Sequence, residues 1–146
     1  MDFKIYLETS EHIMKDVRKT LRKMPKKHAA LVKNWDFKFQ NGNGLDGDIE
    51  HIGFMDREKK LITVAAPWNY GRQYAFLHEV AHVVWENIMT KEMQKEWSKI
   101  VKATKEPKQN QNMEELFCMA YANTYAKNKV VIHDHDTWDA FIRKLP

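Results

Sequence analysis

Apolar residues at Ile13, Met14, Val17, Leu21 and Met24 recur at helical spacing behind Ser10, a residue suited to cap a helix, and Pro25 ends the pattern. A short apolar start at Phe3, Ile5 and Leu7 precedes it, and "KKHAALVKN" (26–34) reads as a second, shorter helix. In "WDFKFQ" the period changes to two: Trp35, Phe37 and Phe39 alternate with polar residues, which predicts a strand with one buried face. The glycines of "NGNGLDGD" (41–48) then break the chain. Two apolar stretches, "IEHIGFM" (49–55) and "LITVAA" (61–66), flank the charged turn "DREKK" and predict an antiparallel hairpin.

Helical period returns after "PWNYG" (67–71). Tyr74, Phe76, Leu77, Val80, Ala81, Val83 and Val84 make this the most apolar helix of the chain. The mixed-charge segment "KEMQKEWSKIVKATK" (91–105) gathers Met93, Trp97, Ile100 and Val101 on one face, the pattern of a surface helix. "EPKQNQN" (106–112) is polar and aperiodic, hence a loop, and "MEELFCMAYANTYAKN" begins the next helix. "VVIHDHD" leads into a last helix over "TWDAFIRKL", with Asp136 placed to cap it. Helices, then strands, then helices predict an α+β fold with the helices segregated. No internal repeat or low-complexity run interrupts this order.

Composition narrows the picture. At 146 residues the chain is most economically one domain, 1–146, with the sheet and the apolar helix in 1–88 and a helical C-terminal lobe in 89–146. Hydrophobic residues at 43% and charged residues at 30% fit a globular protein rather than a disordered one. The net charge of +4 is mild. Basic residues cluster in "KDVRKTLRKMPKKH" (15–28), where the ordinary explanation is a solvated helix face, so nucleic-acid binding stays a minor expectation. The N-terminal "MDFKIYLETSEH" has no basic stretch followed by an apolar run, and no segment approaches the roughly 20 apolar residues of a membrane span. The cytosol is the default expectation, although release by lysis or by a dedicated secretion machine leaves no such mark.

The chemistry lies inside the apolar helix, in "FLHEVAHVVWE" (76–86). On an α-helix, positions i and i+4 share a face one turn apart, so His78 and His82 can direct imidazole nitrogens at one point. Zinc accepts neutral imidazole at about 2.0–2.1 Å, which that separation suits. Glu79 is rotated by roughly 100° from His78, beside an ion rather than on it, where it can take a proton from a zinc-activated water. With seven His and 11 Glu in the chain, this pattern arises by accident about 0.025 times. Unpaired histidines in so apolar a helix would cost free energy unless bonded or metallated, which favours a metal site further.

A catalytic zinc takes three protein ligands and leaves one position open. Cys118 is the sole cysteine, which excludes an intrachain disulfide and a cysteine-built site, so the ligands are sought among His and carboxylates. Glu86 lies a further turn beyond His82, too far along to share the ion. "MEELF" offers Glu114 and Glu115 in the first turn of a helix that is apolar through Phe117, Cys118, Tyr121 and Ala122. The helix dipole accounts comfortably for one carboxylate at such a position and need not account for both. Stabilising a tetrahedral oxyanion needs a donor besides the ion. Tyr74, Lys108, Tyr121, His133 and His135 are candidates that the residues alone do not separate.

"FLHEVAHVVWE", followed by "EELFCMAYANTY" with Glu115 33 residues after His82, resembles the gluzincin metallopeptidases of the anthrax lethal factor catalytic-domain type, a group that includes small Pro-Pro endopeptidases. "LRKMPKKHAALVKNWDFKF" is similar to that family's opening helix, proline and second helix, and "IGFMDREKKLITVAAP" to its glycine-bearing hairpin. The resemblance runs loosely over most of the chain, with the two helix motifs its specific part. It implies a zincin-like domain and a peptidase with one catalytic Zn²⁺. The family's second motif, Glu-x-Phe-x-x-Ala-aromatic, matches Glu115, Phe117, Ala120 and Tyr121, which makes Glu115 the implied third ligand with Glu114 as alternative. Two positions depart from the family. Met119 stands where many members carry an acidic residue, so a contact behind the ligands is missing or supplied elsewhere. Lys108 stands where lethal-factor-like enzymes place the oxyanion-stabilising tyrosine.

The leading expectation is therefore a zinc-dependent endopeptidase acting on a protein or peptide substrate, with His78, His82 and Glu115 on Zn²⁺, Glu79 as general base, and an edge strand of the hairpin holding the substrate extended. Its nearest rival is a regulatory metallopeptidase of the ImmA/IrrE type that cleaves a repressor, because "GRQYAFLHEVAH" has a similar lead-in. A different class is a non-catalytic protein that uses zinc structurally or its basic helix on nucleic acid. A fourth protein ligand, such as His133 or His135, would favour the structural site, and salt-dependent DNA binding the nucleic-acid version.

Overall fold

Pro25 separates the first two helices, α1 (Glu11–Lys23) and α2 (Lys26–Leu31), as its missing N–H and fixed φ dictate. The structure, a computed structural model, describes residues 5–6, 11–39, 53–64, 72–104, 112–127 and 135–146. Expectations that fall on Phe3, Leu7, Ser10, the glycine-rich break at 41–48, the segment 67–71 and most of the loop at 106–112 lie outside these residues.

Four short strands follow the alternating segments: β1 (Ile5–Tyr6), β2 (Asp36–Phe39), β3 (Gly53–Asp56) and β4 (Leu61–Val64). Along β2 the burial alternates as read, with Phe37 and Phe39 inside. β3 and β4 form the expected antiparallel hairpin, Gly53 opposite Val64 and Asp56 opposite Leu61. Its turn is tightened by the Asp56 carboxylate, which accepts the Lys59 amide at 3.1 Å. The other two pairings are parallel, β1 with β2 and β2 with β4, and the sheet order is β1-β2-β4-β3. The sheet is thus mixed, and β3 is an edge strand.

The apolar helix is α3 (Arg72–Asn87), and its apolar stripe is buried along the whole run from Ala75 to Val84. Phe76 meets Phe37 edge to face at 5.0 Å between ring centroids and lies 6.1 Å from Phe39, so one face of the sheet closes on α3. At the start of α3, Gln73 donates to the Thr20 hydroxyl at 2.8 Å and accepts the Lys127 amide at 2.7 Å. One side chain thereby ties α3 to α1 and to the chain leaving α5 (Met113–Tyr125).

α4 (Lys91–Ala103) is capped by Thr90, whose hydroxyl accepts the Met93 amide. It has the solvated face expected, yet its apolar face reaches the middle of the C-terminal helices. Trp97 is fully buried against Phe117, Trp138 and Phe141, and its indole N–H donates to the Met113 carbonyl at 2.9 Å. The last helix, α6 (His135–Arg143), begins one residue before Asp136, which therefore sits in the first turn, where its charge suits the dipole, rather than capping the helix from outside. The α+β class holds for the described residues, and no helix among them is long and apolar enough to cross a membrane.

Candidate metal centre

α3 and α5 pack along their length, and the polar residues of each converge where the two touch. Asn112 accepts the Glu115 amide at 3.0 Å and caps α5, which sets Glu114 and Glu115 in its first turn. From there the Glu115 carboxylate spans both histidines: one oxygen lies 3.0 Å from His78 Nε2, the other 3.1 Å from His82 Nε2. Glu114 reaches behind the pair and sits 2.6 Å from His82 Nδ1. The α3 helix supplies two imidazoles one turn apart, their ring centroids separated by 5.4 Å. The α5 helix supplies the carboxylates.

The separations at Glu115 can be set beside the edge of a tetrahedral zinc site. Ligand atoms about 2.0–2.1 Å from one tetrahedral centre lie roughly 3.3 Å from each other. The two nitrogen-to-oxygen distances at Glu115 are within a few tenths of that edge, and the group whose ligand atoms all lie within 4.8 Å of one another is His78, His82 and Cys118. Because a carboxylate can only accept, His82 Nδ1 carries the proton that Glu114 binds, and Nε2 carries the one that faces Glu115.

The charges respond as a cluster. Burial opposes a proton on His82, but the Glu115 and Glu114 carboxylates outweigh it and push its pKa up to about 9. Hydrogen bonds from His78 and His82 hold the Glu115 carboxyl well below the usual range, against the opposing effect of its burial.

Glu79 stands apart from this triad. It is 7% exposed and makes no hydrogen bond among the described residues. Burial raises its pKa, while the nearby histidines partly offset that. Its neighbour is the edge strand: a Cβ on Gly53 would come within 3.3 Å of Glu79 Cγ and 3.3 Å of the Thr63 carbonyl oxygen. Glycine at 53 is what lets the strand lie against this carboxylate. Next to it, Phe54 is the exposed large hydrophobic residue of the described chain, at 42%. Glu86, set aside as too distant, pairs instead with Arg57 of the hairpin turn.

One exclusion made from the sequence needs correction. Cys118 lies three residues after Glu115 on the same face of α5, and its Sγ and one nitrogen each of His78 and His82 are mutually within 4.8 Å. A thiol is therefore among the groups here that could hold a metal ion. The thiol is 0% exposed, and burial, reinforced by Glu115, Glu114 and Glu79, pushes its pKa well up. A single cysteine carries no spacing pattern, which is why the linear sequence does not point to it.

Two oxyanion candidates have distinct settings. Tyr121 is a core residue. Its hydroxyl lies 2.8 Å from His28 Nδ1, and His28 Nε2 lies 2.7 Å from the Pro146 carbonyl oxygen. The carbonyl can only accept, so Nε2 carries the hydrogen and the Tyr121 hydroxyl donates to Nδ1, which commits it away from any substrate. Tyr74 is beside the site, its ring 6.4 Å from that of His78, with its hydroxyl donating to the Met119 carbonyl at a long 3.4 Å. Burial, with a smaller effect from Cys118, pushes its pKa up to about 12. Lys108 and His133 lie outside the described residues, as does the side chain of His135.

No family model, no curated protein and no solved structure matches this chain. The functional reading rests on the chemistry of the site itself.

Proposed function

We propose that this chain is a zinc-dependent endopeptidase of the gluzincin kind on a zincin-like fold. His78, His82 and Glu115 hold the ion and Glu79 is the general base. The observation that carries this reading is the division of labour among four acidic and imidazole groups: Glu115 spans both Nε2 atoms, whereas Glu79 is buried alongside with its oxygens uncommitted. A bound zinc supplies a Lewis acid that brings the pKa of water down towards about 7. Glu79 accepts the proton that the attacking water gives up and returns it to the leaving amine. The ligand Glu115 has no part in proton transfer.

The edge strand supports a peptide as substrate. β3 offers an unpaired backbone edge among the described residues, Gly53 brings that edge against Glu79, and Phe54 projects an exposed ring beside it. An extended peptide adding to β3 gains main-chain hydrogen bonds and passes next to the base. Tyr74 is the oxyanion donor best placed among the described residues, since it is neutral at working pH and its present hydrogen bond is long. Mass-spectrometric analysis of a diverse peptide library, incubated with the protein with and without a chelator, tests the activity and reads its preference. Cleavage that the chelator abolishes is the expected result.

One observation favours a second reading. Cys118 within reach of both histidines is what a closed, structural zinc site would show, and such a site has no position for water.

A further inference from the structure

Cys118 is the one buried nucleophile at this centre that the hydrolytic scheme leaves unused. Its Sγ faces the two imidazoles, within 4.8 Å of a nitrogen of each, and makes no hydrogen bond among the described residues. A small buried thiol packed on apolar neighbours needs no account. This one instead lies within 4.8 Å of a nitrogen of each histidine, three residues after the carboxylate that contacts both.

We propose that Cys118 is a fourth protein ligand of the resting metal centre, giving a His78, His82, Glu115, Cys118 donor set that closes the position water needs. The inference rests on the metal site proposed above and adds a form of regulation to it. A tetrahedral ion with sulfur at about 2.3 Å and nitrogen at about 2.0–2.1 Å sets sulfur and nitrogen about 3.6 Å apart. Since the sulfur and the two nitrogens lie within 4.8 Å of one another, the approach needed is at most about an ångström, within the range of side-chain adjustment. In the step itself the S–H bond breaks, its proton passes to solvent, and a sulfur–metal bond forms. No oxidant or reductant takes part. Opening the site reverses that step: sulfur leaves the ion and is reprotonated as water enters.

Glu115 holds the histidines in register whether or not the thiol is bound. Cys118 decides whether a coordination position is available.

X-ray absorption at the zinc edge on the full zinc-loaded chain tests this without any variant. The expected spectrum contains one sulfur at about 2.3 Å beside nitrogen and oxygen neighbours at about 2.0–2.2 Å. C118A should lose that sulfur, keep its zinc, and cleave library peptides several-fold faster than the wild type. C118S serves the same purpose if the alanine variant folds poorly. A zinc shell of nitrogen and oxygen alone in the wild-type protein overturns the inference and leaves the three-ligand site standing. Failure of the wild-type protein to retain zinc overturns both. A sulfur that disappears in C118A, with no cleavage by either protein, keeps the ligand and removes the peptidase reading.

Discussion

Glu114 Oε2 sits 2.6 Å from Nδ1 of His82 and fixes both the tautomer and the direction of that imidazole. A carboxylate that served only the α5 dipole would stabilise the helix by about 0.3–1 kcal/mol and leave metal binding alone. Orienting a ligand is a different role. E114Q is therefore expected to lower zinc affinity by about 10–100-fold, measured by competition with a chromophoric chelator. E115Q should lose more, because it removes a ligand itself.

The contact between Gly53 and Glu79 gives a second expectation. A Cβ at residue 53 meets the Thr63 carbonyl, which is held in the paired strand and cannot move away freely, as well as the Glu79 side chain. G53A should cost about 1–3 kcal/mol in denaturant unfolding and reduce peptide cleavage further than that loss explains, since Glu79 is displaced. Unaltered stability and turnover would show that the strand does not press on the base.

His28 supplies a dependence on pH. Burial lowers its pKa below the ordinary 6.5, against the smaller effect of its bond to Pro146. Between that lowered value and 6.5 the unfolded chain binds more protons than the folded one, so stability rises with pH across this window and is lost as pH falls below 6.5. Gln at position 28 keeps a donor and an acceptor without titrating. The difference between the wild-type and H28Q unfolding curves should shrink as the pH is lowered from 7 towards 5.

Trp97 anchors the start of α5 through its bond to the Met113 carbonyl, two residues before Glu115. W97A is expected to cost about 3–5 kcal/mol. W97F, which retains most of the ring packing against Phe117, Trp138 and Phe141, should lose about 0.5–1.5 kcal/mol together with some zinc affinity. Calorimetry and the same chelator competition measure the two effects.

The helices, the β3–β4 hairpin and the one-sided burial of β2 were legible from periodicity, because amphipathic spacing is a local signal. The pairing of β2 with β4 was not. It is parallel and joins segments separated by the glycine-rich break and the hairpin, and no local pattern encodes such a contact. At the candidate site, His78 and His82 could be read together since one helix carries both. Glu114 and Glu115 followed from their place at a helix start, although the separate partners of the two depend on how α5 is rotated against α3. Cys118 escaped for the same reason. Tyr121 fitted a motif and belongs to the core, since its hydroxyl meets His28 across 93 positions of sequence.

The account stands most directly on Glu79. With zinc content and library cleavage measured side by side on the wild type and E79Q, both proteins should carry one zinc per chain, and only the wild type should cleave. Equal cleavage by E79Q, or a wild-type protein that carries zinc and cleaves nothing, would contradict it.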